Sequence, residues 1–417
     1  MPISSFVYEA PVRRRVRTPV LDYHLLEAGF ALAEQGRVQE AVAQVLAHLF
    51  PGRAIPDLTR EPFTFTQGSS CVKVQVQGER LSVTVPLVRL PVGGGTVAAL
   101  RYLLTKISGS GQLHQPRLRG DEVFLEFSDL LSRMHPAKLL EVLRRMPLEA
   151  DSADDWLIGQ FAAQPLLRAT IHPLAPEELT RAAAIWRTHW EEIEDLLKES
   201  QRKRSMFFLN ELTAYALYRL RVALPMCGFL AARLDEAFST FNDGDVDPLK
   251  REAALAKCAR EMKAVSLEEL ERNLGHAEYA ISPQQEGKAE TLTGYFQSGD
   301  YLKSIDKLRS TGKSLDAALA LVSTYAYLLG RFAWPEPIAT ELEAGLAKVS
   351  GLPWREAAST LFAHTEALLE RYDEDGRGDA AGGGADGADD GTGEGDGGDE
   401  PSDDIDDDDD DREEDAP

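Results

Sequence analysis

The sequence predicts an α+β N-terminal domain, an antiparallel sheet with flanking helices, followed by an all-α domain and a disordered acidic tail. Three observations carry this. Between Phe63 and Leu130, stretches such as "CVKVQVQ" and "LSVTVPLV" alternate apolar and polar residues, the period of two that a half-buried strand requires. Before that region, and from Pro176 to Tyr372, apolar residues recur three and four positions apart, as on one face of a helix. From Asp373 the composition collapses to Gly, Ala and Asp, with too little apolar surface to offset chain entropy. The expected divisions are a basic arm at 1–20, the α+β domain at 21–165, the helical domain at 166–372 and the tail at 373–417.

Taken in order, residues 21–50 place apolar residues at helical spacing on both sides of Gly36, with Pro51-Gly52 as a stop, and predict a helical hairpin. "FTFT", "CVKVQVQ" and "LSVTVPLV" then predict three strands, the last two separated at Gln77-Gly78-Glu79-Arg80. "VAALRYLLTKIS" reads as a helix with Thr96 as N-cap, "GQLHQPRLRG" and "DEVFLEFSDL" as two strands joined at Gly120-Asp121, and Pro136–Met146 as another helix. After Pro176 the pattern is helical throughout: a helix starting at Pro176, then Phe207–Val222, Pro248–Lys263, a capping box at Ser266 and Glu269, Thr291–Leu308, Leu315–Gly330, Pro337–Val349 and Trp354–Tyr372.

The hairpin half "AEQGRVQEAVAQVLAHLFP" resembles one tetratricopeptide unit, with Gly36 at the turn, Ala41 in the second helix and Pro51 at its end. The larger order of helix, three strands, helix, two strands, helix, ending in "LEADSADDWL", resembles the YbjN-like domains and the broader fold of type III secretion chaperones over roughly Leu21 to Phe161. That resemblance implies a non-enzymatic fold whose sheet and helices dock partner segments.

With 417 residues and 43% apolar content the chain can fill real cores. Its net charge of −24 is unevenly placed: the stretch from Asp373 to Pro417 holds 22 acidic and 2 basic residues, leaving 47 acidic and 43 basic before it. Three scattered cysteines form no disulfide framework or metal cluster and suggest a cytosolic protein. Arg13, Arg14, Arg15 and Arg17 are followed by no apolar signal region, and the longest apolar run, "VALPMCGFLAA", is about half the length of a bilayer span. No membrane partner is expected. The acidic tail and near-neutral body argue against nucleic acid as a partner.

Candidate chemical motifs fail on spacing. "STGKS" (Ser310–Ser314) has the end of a phosphate-binding loop, but the required earlier glycine position holds Lys307 and the lead-in is helical. Gly312 closing one helix and Ser314 capping the next explains it. "NDGDVDP" alternates Asp243, Asp245 and Asp247 like a calcium loop, yet Pro248 and Ala254 stand where the turn glycine and bidentate glutamate belong. Gly93-Gly94-Gly95 makes no dinucleotide fingerprint, and His189 beside Trp190 belongs to a helix face. No catalytic, metal or cofactor residue is assigned, and no cofactor is expected.

The leading expectation is therefore a cytosolic, non-enzymatic protein-binding protein, chaperone-like or inhibitory, that holds a client in a stable complex, one destined for export or otherwise regulated. Homo-oligomerisation is compatible with it. The partner-binding candidates are Val72, Val74, Val76, Val83 and Val85 on the sheet, with Phe207 and Tyr215 in the aromatic-rich helix. The alternatives are a nucleotide-dependent enzyme or switch using Gly312-Lys313-Ser314, and a structural or polarity scaffold. The aspartate run from Asp403 suits either a solubilising extension or an anionic arm for a basic groove.

Overall fold

Residues that alternate in the sequence alternate across a sheet. The computed structural model describes residues 5–12, 21–107, 112–241, 246–297 and 299–380, except the side chains of Thr240 and of 373–380. α1 (Tyr23–Glu34) and α2 (Val38–Leu49) form the hairpin, with Asp22 capping α1 and Gly36 at φ +75° in the turn. β1 (Phe63–Gln67), β2 (Ser70–Gln77) and β3 (Arg80–Arg89) follow, then α3 (Gly94–Lys106), β4 (Gln115–Arg119), β5 (Glu122–Leu130) and α4 (Pro136–Phe161). The strands lie in the order β1-β2-β3-β5-β4 with antiparallel neighbours, so α3 crosses over from β3 to β4 past β5. The β3–β5 register shifts between Pro86 and Val88, where a proline without a ladder donor is accommodated. A short β6 (Gln164–Pro165) pairs with the end of β3.

One helix start and one helix end differ from expectation. α3 begins at Gly94 behind Gly93, whose φ of +108° suits glycine, and Thr96 lies inside the first turn, its hydroxyl donating to the Pro91 carbonyl. α4 does not stop before Pro147 but runs to Phe161. An interior proline costs about 3 kcal/mol, and here Met146, Pro147, Ala150, Ala153 and Leu157 are all buried along the face that crosses the sheet. That burial offsets the lost hydrogen bond.

The helical part comprises α5 (Pro176–Lys203), α6 (Met206–Ala223), α7 (Gly228–Phe241), α8 (Pro248–Lys263), α9 (Leu267–Asn273), α10 (Ala289–Gln297), α11 (Tyr301–Ser310), α12 (Ser314–Arg331), α13 (Glu336–Val349) and α14 (Trp354–Ala380). The single helix expected over Thr291–Leu308 is two, because Gly299 at φ +58° leaves the helical region before Asp300 starts α11. α6 and α12 are apolar nearly all round and pack on each other as central helices. Their contact is close: a Cβ on Gly330 would lie 2.7 Å from the Tyr218 ring. No helix among the described residues is long and apolar enough to cross a membrane. The tail expected from Asp373 lies outside the described residues from 381 onward.

Backbone contacts gather the chain to Gly376 into one unit, while its apolar side chains form two cores. One runs from Val42 to Ala163 and fills the space between the sheet and α2, α3 and α4. The other takes Phe6 and residues from Leu174 to Leu369. Residues 278–281 join the two by pairing with the C-terminal end of β1 and its turn: Gly68 N donates to Glu278 O (2.8 Å) and Ala280 N to Thr66 O (3.3 Å). The buried Gln67 amide donates to Ile281 O and accepts from Ile281 N, each at 2.9 Å. Replacing Gln67 with methionine removes both partners and is expected to lower stability by about 1–3 kcal/mol. An unchanged urea midpoint would show that the clamp contributes nothing.

Candidate functional site

The five sheet valines share one face, and that face is inward. Val72, Val74, Val76, Val83 and Val85 are all buried, packed in the core that α2 and α4 complete. The protein's own helices occupy the positions expected to dock a partner. Tyr215 is likewise buried, its hydroxyl donating to Glu192 at 2.9 Å, and Phe207 is half-buried at the margin of the helical core.

What faces outward lies at the opposite edge. β1 and β4 are the two terminal strands of the sheet; residues 278–281 pair with the C-terminal end of β1 at Thr66 to Gly68. Leu118 on β4 is 52% exposed and stands between the exposed Arg117 and Arg119. Arg119 lies over the Phe124 ring at 4.6 Å and pairs with Glu126, while Pro116, within the strand, has no N–H to donate. On α3, Ala99, Leu103 and Ile107 turn inward, and Val97 and Leu104, seven residues apart and 62% and 66% exposed, form a second, outward apolar stripe. An edge strand offers unpaired backbone groups for strand addition.

A second constellation is chemical. The β1–β2 turn places Gly68 at φ +58° against α4; a Cβ there would lie 2.1 Å from an Asp151 carboxylate oxygen. The approach lets Ser69 N and Oγ donate to Asp151 Oδ1 (2.6 and 2.8 Å), with Oγ also 2.9 Å from Asp154 Oδ1. Ser69 has one hydroxyl proton for two carboxylates. Arg168 pairs with Asp155 and lies 3.9 Å from Asp154, and the Gly228 N–H at the start of α7 reaches Asp155. Ala169 N closes the ring by donating to Ser69 O (2.8 Å).

The three carboxylates offer oxygens within 4.8 Å of one another. Burial is the main cause that raises the pKa of all three carboxyls: Asp155 is pushed up to about 7, against the opposing pull of Arg168, and Asp154 well above the usual carboxylate range. Asp151 rises for the same reason, opposed by the Ser69 hydrogen bonds. A group that moves protons in catalysis must reach its substrate, and Asp154 has 0% exposure. Protein donors engage each carboxylate, so the cluster acts as a clasp joining β1–β2, α4, residues 166–169 and the start of α7. Nothing local in the sequence links Ser69, Asp154 and Arg168; only the acidic stretch itself stood out.

The remaining motifs resolve into local structure. Gly312 at φ +77° closes α11, as expected, with Lys313 N donating to Leu308 O (2.9 Å). The next helix starts one residue early, however: Ser314 is its first residue, Lys313 is the N-cap, and no side chain caps it. Asp316 in that first turn pairs with Lys203. Asp247 caps α8, accepting from Leu249 N at 2.8 Å, while Asp243 and Asp245 lie outside the described residues, as do Arg13, Arg14, Arg15 and Arg17. His189 is buried; Nε2 donates to Ala216 O at 2.8 Å, and burial together with Arg219 keeps the ring neutral.

No protein-family model matches the chain, and no curated protein matches it.

Proposed function

We propose that this chain is a non-catalytic, cytosolic protein-binding protein that holds a client by its extended segment. The observation that carries the proposal is the difference between the two sheet edges: the C-terminal end of β1 is paired by residues 278–281, and β4, the other terminal strand, has Leu118 exposed between Arg117 and Arg119. The occupant is an extended, acidic segment that adds to β4 through main-chain hydrogen bonds and sets its carboxylates beside Arg117. The free cysteines, two of them buried, suit a reducing compartment. Within this proposal the resemblance to secretion chaperones supplies the client-holding role.

The test is co-purification of the tagged chain from its native cytosol, beside a Leu118→Asp variant. Because Leu118 is more than half exposed, the variant is expected to melt within a degree or two of the parent. A single stoichiometric partner held by the parent and lost from the variant supports docking at β4. Undiminished retention by the variant removes β4 as the dock, and reproducible turnover by the purified protein would sink the non-catalytic assignment.

A further inference from the structure

Residues 5–12 lie in the helical part of the fold and are held mainly through their own backbone. Gly351 N donates to Phe6 O (2.6 Å), Tyr8 N donates to Ser350 Oγ (3.0 Å) and Val12 N donates to Ala223 O (2.9 Å). Two arginines reach main-chain carbonyls of the segment: Arg219 Nη2 donates to Val7 O and Arg181 Nη2 to Ala10 O, each at 2.6 Å. Ser5 makes an antiparallel bridge to Pro353. One side chain is fully seated. Phe6 is 2% exposed, edge-on to Tyr215 with centroids 6.2 Å apart and 5.4 Å from the Arg219 guanidinium, while its neighbour Val7 points out.

The seat has anchors outside the segment. Arg219 is fixed from behind by the Glu192 carboxylate and by the Tyr215 hydroxyl at 2.6 Å, through the guanidinium nitrogen that does not reach Val7 O. Val322, Ala326 and Leu346 complete the wall, and the void left beside Phe6 is about 10 Å³, near the size of one water. Donors that address main-chain carbonyls, with one aromatic pocket, are how extended peptides are recognised whatever most of their side chains are.

We propose that this groove, formed by α5, α6, α12, α13 and the α13–α14 turn, is a peptide-recognition site that residues 5–12 occupy as a tethered ligand. In trans it takes an extended protein segment with a phenylalanine anchor and free main-chain carbonyls. The tether makes the chain's own segment the standing competitor, so a partner binds only as the segment leaves. The proposal rests on the protein-binding function above but uses neither β4 nor a cytosolic partner.

The test uses the full chain with a site-specific protease sequence placed within residues 13–20, cut after folding and separated by gel filtration. The probe is a fluorescent peptide of residues 5–12, followed by anisotropy. Cut protein is expected to bind it about 100-fold more tightly than uncut protein, the advantage that a tether at millimolar effective concentration removes from a competitor. A peptide with Phe6→Ala is expected not to bind. The full chain carrying Phe6→Ala, which needs no cutting, is expected to gain affinity for the native peptide in the same direction. Folded Phe6→Ala protein that gains nothing, or cut protein that binds both peptides alike, would overturn the proposal. Either failure leaves docking at β4 standing, and loss of the β4 partner leaves the groove standing.

Discussion

An Arg168→Met chain is expected to lose about 3–5 kcal/mol of stability at pH 8, and much less at pH 5. Arg168 is the cation paired with Asp155 and beside Asp154, and its removal leaves three crowded carboxylates with only Ser69 and the Gly228 N–H as donors. The pH dependence follows from the direction of the shifts. An acid whose folded pKa lies above its unfolded value binds more protons folded than unfolded, so stability falls as pH rises between the two values. For Asp155 that window opens near the ordinary carboxylate value of about 4 and closes at about 7. Without Arg168 the attraction that opposes the rise is gone, and the loss deepens and extends to higher pH. At pH 5, below its folded value of about 7, Asp155 is already neutral in the folded protein and needs no cation. Glu211, buried and also pushed up to about 7, adds to the slope of both chains and cancels in their difference. Urea unfolding of both proteins at pH 5 and pH 8 decides it: an equal deficit at the two pH values would refute the account.

That clasp also shows where sequence reasoning stops. The alternation at Val72–Val76 and Val83–Val85 is legible because the pleat turns every second side chain to one face. Alternation tells that one face is covered, not by what. The sequence pattern places the covering helix α4 only over Pro136–Met146, and the burial that carries it past Pro147 to Phe161 is tertiary. That shorter helix leaves out Asp151, Asp154 and Asp155, and with them the meeting of Asp151 with a turn 82 residues away. The outward stripe at Val97 and Leu104 was present in the spacing, but only the inward set Ala99, Leu103 and Ile107 shows which stripe is surplus. Strand order, and so the terminal position of β4, has no local signature at all.

The largest effect outside the clasp is expected from Arg219→Met. Arg219 is 8% exposed and Glu192 nearly as buried, and the guanidinium joins Glu192, the Tyr215 hydroxyl and the Val7 carbonyl. Removing the cation leaves a buried carboxylate held only by Tyr215, a change that costs about 3–5 kcal/mol. The same substitution deletes one of the two guanidinium contacts to residues 5–12 and the cation beside the Phe6 ring, so proteolytic cleavage of the first twelve residues is expected to accelerate as global stability falls. Adding Glu192→Gln should restore much of the stability, because the stranded charge is gone, but not the protection of the segment, because the donor to Val7 O is still missing. This separation is what distinguishes a seat built to hold a backbone from a buried pair that merely stabilises α5 against α6. Urea midpoints with limited proteolysis of the single and double variants measure both quantities. Recovery of stability and protection together would mean that the segment simply follows global unfolding.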